Sequence, residues 1–227
     1  MFQTCLYYMI CNIHPSQQVR SLGAYFDAQC SMDFHVGHTC KIANFHLRQL
    51  GRIRRFLTDD VAKTFAHAFI TSRLDYANSL LTGISAKNLS WLQRVLNTTA
   101  RILLRRKRDD PSEPLLRHLH WLPVKFRIHF KVLLLAYKSL EGKAPIYLQS
   151  LLVKTQATRQ LRSASRDLLQ VPKCTTSVGE TAFSRIAPSL WNTLPQVIKN
   201  CNCLKGFKSQ LKTHLFEADF SQHVLSI

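Results

Sequence analysis

The chain has 227 residues, 46% of them hydrophobic, which is enough to bury one large or two small cores and excludes wholesale disorder. Its 31 lysines and arginines face only 13 acids, a net charge of +18, so a phosphate-rich partner is favoured over an acidic-substrate or neutral one. Seven cysteines in no framework suit an intracellular compartment, nucleus or cytoplasm, better than secretion, and no apolar run approaches the ~20 residues a membrane span needs.

Residues 1–18 have no clear period; MFQTCLYYMICNIHP is apolar but lacks the basic start of a signal peptide. The stretch 19–27 reads as one short strand ending in a turn, with no second strand to pair it. Residues 1–32 are therefore expected to be the truncated remnant of another unit.

A bundle is expected over 33–152. Asp33 is expected to cap a first helix reaching about residue 55, with Val36, Cys40, Ala43, Leu47 and Leu50 as its apolar strip and Ile42, Phe45, Ile53 and Phe56 widening it. Lys41, Arg48, Arg52, Arg54 and Arg55 ride on it with no acid among them. Thr58 caps a second helix with Asp59 and Asp60 in its first turn; Val61, Phe65, Phe69, Tyr76 and Leu80 form its expected buried side.

The stretch 85–108, SAKNLSWLQRVLNTTARILLRRKR, organises the rest. Wound at about 100° per residue, it puts Leu89, Leu92, Val95, Leu96, Thr99, Ile102 and Leu103 on one side. Lys87, Arg94, Arg101, Arg105 and Arg108 fall opposite, and Arg106 and Lys107 join them in the last turn. No acid occurs between Asp75 and Asp109, so the stripe has no local neutraliser. Such a face can be merely solvated, can lie on an anionic membrane or serve as a calmodulin target. Nucleic acid ranks above these because the excess charge runs along the whole chain.

Beyond the acidic, proline-marked turn at 109–114 a short helix precedes a long one, opened by Pro123 and ended near Gly142. It is expected to be the most buried, with only Arg127, Lys131 and Lys138 on a polar strip. From 153 to about 173 the periodicity fails, with Leu168 to Val171 a possible strand. Residues 153–227 are read as a looser α+β unit: a turn-rich aromatic anchor at PSLWNTLP (188–195), a last helix marked by Leu204, Phe207, Leu211 and Leu215, and a loose tail after Phe220.

Catalytic readings fail one by one. Asp59-Asp60 follows Thr58 and opens a helix, so capping outweighs metal binding by a polymerase pair. Cys30, His35, His38 and Cys40, and separately Cys201, Cys203, His214 and His223, are compact but match no zinc spacing. No phosphate-cradling glycine loop and no nucleophile elbow occurs. No cofactor, metal or small-molecule substrate is expected. Of the tryptophans, Trp91, at the edge of the buried face, is the best base-stacking candidate, with a core position still favoured for it, and Trp121 reads as a lock at a helix corner.

Six phrases in order resemble the C-terminal region of reverse transcriptases from animal non-LTR, jockey-like or LINE-type, retrotransposons. They are SLGAYFD (21–27), FITSRLDYANSLLTGI (69–84), LQRVLNTTARIL (92–103), LHWLPVKFRIHFKVLLLAYKSLEGKAP (119–145), LRSA (161–164) and PSLWNTLP (188–195). The resemblance covers about 19–216 and implies the end of a polymerase palm, then the thumb that grips a template–primer duplex, hence RNA and DNA as partners. The family's aromatic-Ala-Asp-Asp hairpin has no counterpart here, which implies a non-catalytic fragment. Ala77 stands where the family usually has Cys, and His129 where it has Asp, departures that suit a decayed copy. A mainly α fold is expected, a helical bundle with an orphan strand before it. It is expected to bind nucleic acid non-specifically through Lys87, Arg94, Arg101, Arg105, Arg106, Lys107, Arg108, Arg52, Arg54 and Arg55. A helical protein-interaction module, or a mobile-element relic without function, is the alternative.

Overall fold

A computed structural model describes residues 17–155 and 168–222, with the side chains of 219–222 excepted. The fold is mainly helical, with one two-stranded antiparallel sheet near the N-terminus. The expectations for residues 1–16, for the LRSA phrase and most of the 153–173 linker, for His223 and for the last residues of the tail lie outside the described residues.

The orphan strand is a hairpin. β1 (Gln18–Ser21) pairs with β2 (Ala24–Asp27) in the register Gln18–Asp27 to Ser21–Ala24. Leu22 and Gly23 form the turn, both with positive φ, 46° and 83°. A two-residue hairpin turn of this hand needs that conformation twice, and leucine at the first position hid it from the sequence reading. Tyr76 donates its hydroxyl hydrogen to the Leu22 carbonyl, tying the hairpin to the bundle.

α1 (Asp33–Ile53) buries Val36, Cys40, Ala43, Leu47 and Leu50, as its spacing predicts, while Phe45, Ile53 and Phe56, expected to widen that strip, are exposed. Its N-cap is Met32, in the left-handed region, rather than Asp33. Asp33 instead accepts a 2.6 Å hydrogen bond from the buried Asn88 side chain. α2 (Asp59–Ala66) is capped by Thr58, whose Oγ1 accepts from the Val61 amide. It widens into a π-turn (His67–Thr71), runs on as α3 (Ser72–Asp75), and closes in a 3-10 turn (Asn78–Leu81).

The buried side of this segment differs from the expected one. Ala62, Ala66, Ile70, Leu74 and Leu81 are buried, whereas Val61, Phe69, Tyr76 and Leu80 are exposed. Two alanines one turn apart let α2 sit close against its neighbours, so the small residues face in and the large ones are displaced outward.

α4 (Ala86–Leu103) is capped by Ser85 and buries Leu92, Val95, Leu96, Thr99, Ala100 and Leu103. It packs on α1, α2, α5 (Ser112–His118) and α6 (Val124–Leu140). Gln93 of α4 accepts from the Val124 amide at 2.8 Å, satisfying a donor that Pro123 at the N-cap cannot. α6 is the axle of the molecule. Val124 and Ile128 belong to the core built on α1, α2 and α4; Val132, Leu133, Leu134, Ala136 and Tyr137 belong to a second core.

That second core collects α9 (Phe183–Thr193), α10 (Gln196–Lys199) and α11 (Leu204–Gln222); α7 (Ile146–Gln149) packs on α6 and α8 (Ser177–Glu180) on α9, and neither contributes a buried residue. Tyr137, Phe207 and Trp191 stack at its centre, with ring centroids 4.2 and 6.0 Å apart. The PSLWNTLP phrase is mostly helix, with Pro188 inside α9, and not the turn-rich anchor the sequence suggested. Of the possible strand at 168–171 one bridge forms, Lys154 to Leu169. The Asn192 side chain holds it, accepting from the Leu169 amide and donating to its carbonyl, both at 2.8 Å.

Candidate nucleic-acid interface

The basic residues come from two segments some fifty positions apart, and the fold brings their ends together. α1 turns into a 3-10 turn at Arg54–Phe56 beside the C-terminus of α4. Arg54 Nε and Nη2 donate to the Leu103 carbonyl at 3.1 and 2.6 Å, and Arg105 Nη2 donates to the Leu57 carbonyl at 3.4 Å. One end of the bundle therefore carries Arg52 from α1, Arg55 from the 3-10 turn, and Arg105, Arg106, Lys107 and Arg108 from the segment after α4. All six are exposed. Phe56, 74% exposed, lies under the Arg55 guanidinium at 4.6 Å.

Arg54 is a correction. It is 5% exposed, and besides Leu103 it binds the Leu57 carbonyl at 3.0 Å and Asp59 Oδ1 at 2.5 Å. Its donors fasten α1 to α4 and α2, so no phosphate reaches them. Asp59, beside that guanidinium and near Arg105 and Lys63, is held below the usual carboxylate range. Thr58, Asp59 and Asp60 thus cap and clasp a helix end. Among the described residues no cluster of His, Cys, Asp and Glu is arranged to hold a metal.

The stripe on α4 is shorter than its sequence implies. The helix stops at Leu103, and Arg105 takes a left-handed φ of 53° that closes the end, with the Arg106 amide donating to the Arg101 carbonyl at 2.8 Å. Four consecutive cations repel one another in a continuing helix, and Asp110 gathers the turn instead. It accepts from the Lys107 amide through Oδ2 and from Arg101 Nε through its carbonyl. Lys87, Arg94 and Arg101 alone stay on the helix, with Arg105 to Arg108 splayed beyond it. Lys87 lies 5.0 Å from the centre of the Trp91 ring, which is 36% exposed. Trp91 is thus an accessible ring with a cation beside it. Trp191 is buried, and Trp121 sits half-buried at the corner before α6 with the Arg127 guanidinium 5.7 Å from its ring.

The displaced face of α2 builds a feature the sequence reading missed. Phe45, His46, Phe69 and Phe65 form a ladder of rings, with successive centroids 5.3, 5.2 and 4.7 Å apart. Phe45 is 50% and Phe69 41% exposed. The available signal was the four-residue spacing of Ala62, Ala66, Ile70 and Leu74, which competes with the larger aromatics for the inward face. Arg73 lies close enough to help push the His46 pKa down, after burial, the larger cause.

No family model, curated protein or solved structure matches the chain in the three comparisons made. No described helix is long and apolar enough to cross a membrane.

Proposed function

We propose that the chain binds nucleic acid without sequence preference, through phosphate contacts at the basic end of its bundle. It is, on this reading, the thumb-like and downstream part of a non-LTR retrotransposon reverse transcriptase, and the part itself does no catalysis. The supporting observation is the convergence of Arg52 and Arg55 with the Arg105-to-Arg108 run on one exposed end, continued along α4 by Arg94. Asp59, Asp60, Asp109 and Asp110 temper that end but leave cations in excess. Phosphate contacts position a duplex and carry no sequence information. Filter binding in rising salt tests this. Affinity should fall log-linearly with salt, and Arg94→Glu, Arg106→Glu and Arg108→Glu together should cost roughly tenfold or more on unrelated sequences alike, with a shallower slope. A flat salt response, or loss confined to one sequence, contradicts the proposal. Template extension by the purified chain would overturn the non-catalytic part.

The exposed ring ladder favours a second reading, a protein-docking helical module. Under it, Phe45→Ser with Phe69→Ser abolishes capture of a partner protein, while the charge reversals leave that capture intact.

A further inference from the structure

A cavity of about 320 Å³, with a largely apolar lining that carries several polar and charged groups, opens where the π-turn, the start of α6 and α11 meet. It lies apart from the basic end described above. Its charge is uneven. Asp75 Oδ2 is paired with Arg127 Nη1 at 2.8 Å, which cancels both; Lys131 and Lys212 then remain on the wall with no second acid among the described residues that line it. His67 and His120 stand at the same cavity, with His67 Nδ1 fixed 3.0 Å from Thr71 Oγ1. Trp121 and Phe130 supply flat apolar wall. Asn78, 2% exposed, is a third kind of group: its Nδ2 leans 3.5 Å toward Asp75, and its Oδ1 is buried with no donor among the described residues. Buried amide oxygens are almost always paired, so an orphan oxygen on a residue that lines a cavity marks a donor's place once the amide turns toward it. π-turns such as His67–Thr71 concentrate at functional sites.

We propose that this cavity binds a nucleotide unit, an aromatic base bearing an exocyclic amine joined to a phosphate. The lysines take the phosphate, Trp121 flanks the base, and the amine donates to Asn78 Oδ1 after a small turn of the amide. Adenine offers that donor, with a neighbouring acceptor for Nδ2. The site departs from the expectation that no small ligand is bound, and it stands whether or not the basic end grips nucleic acid.

Calorimetric titration of the purified chain with adenosine 5′-monophosphate tests it, with inosine 5′-monophosphate, adenosine and inorganic phosphate in parallel. The adenine nucleotide should bind with one site per chain, roughly tenfold or more tighter than each of the others, because a site built to pair an amine rejects the analogue that lacks it. Lys131→Gln with Lys212→Gln should weaken it at least about tenfold while circular dichroism stays unchanged. Arg106→Glu with Arg108→Glu should leave it unchanged, which separates this site from the phosphate-gripping end. A single-stranded oligoadenylate that displaces the mononucleotide places the unit in a strand, and failure to displace it makes the ligand a free nucleotide. No saturable binding, equal affinity for inorganic phosphate, equal affinity for the inosine nucleotide, or indifference to the lysine pair would overturn the proposal.

Discussion

Arg54 shows how far one side chain's role depends on its surroundings. It looks in sequence like its neighbours Arg52 and Arg55, yet it alone is buried, with four hydrogen bonds to Leu103, Leu57 and Asp59. Truncating it strands the buried Leu103 carbonyl, which costs about 1–3 kcal/mol when left unpaired, removes the pair with Asp59, and leaves the half-buried Leu57 carbonyl only its longer bond from Arg105. Arg54→Ala should therefore destabilise the fold by about 2–4 kcal/mol, and Arg54→Lys should recover little, since an ammonium cannot span the same fork of acceptors. Arg52→Ala and Arg55→Ala, on exposed positions, should stay within about 0.5 kcal/mol. Urea unfolding of the three variants checks the contrast. The same variants invert in a binding assay, where Arg52 and Arg55 should matter.

At the scale of elements, what could be read from the sequence was what one helix decides for itself. The inward strips of α1 and α4, the caps at Thr58 and Ser85 and the burial of α6 follow from period and end chemistry. The misreadings arose where two elements decide jointly. The face of α2 turned on how closely its alanines let it approach its neighbours, and the end of α4 on Asp110, seven residues past its last turn. The candidate interface was half legible for the same reason: its arginines stood out, but their meeting at one end, and the loss of Arg54 to the core, are tertiary facts. The hairpin was missed because its turn uses Leu22, a residue that pays for a left-handed conformation. Leu22 is 91% exposed, so its side chain contributes no packing. Leu22→Asn, which tolerates that conformation, should stabilise the protein by about 0.5–1 kcal/mol; a midpoint that falls in thermal unfolding would show that the turn geometry differs.

Across the whole molecule, α6 is shared by two cores, its first turns packing in one and its later turns in the other, so the two should unfold as one. His129 sits on that helix where the two halves meet, at a cavity bounded by Ile84 and Leu89 on one side and Ile186 and Leu190 on the other. Burial, with the nearby Lys125 charge, pushes its pKa down from the ordinary 6.5 to about 4. The folded protein thus refuses a proton that the unfolded chain accepts. Stability from this group is complete above about pH 6.5, is lost progressively as the pH falls toward 4, and drops no further below that. His35 adds to the same trend: it is buried, its pKa is lowered, and its Nδ1 accepts from the Tyr25 amide at 3.4 Å. Urea midpoints measured from pH 7 to pH 4.5 should fall, and His129→Phe, which keeps a ring and removes the titration, should flatten that fall. Because the charge would appear at the seam that both cores share, near- and far-ultraviolet signals should move together in a single transition. If they separate, α6 does not couple the halves, and if His129→Phe leaves the slope unchanged, the acid sensitivity belongs to His35 and His46, whose pKa values are lowered as well.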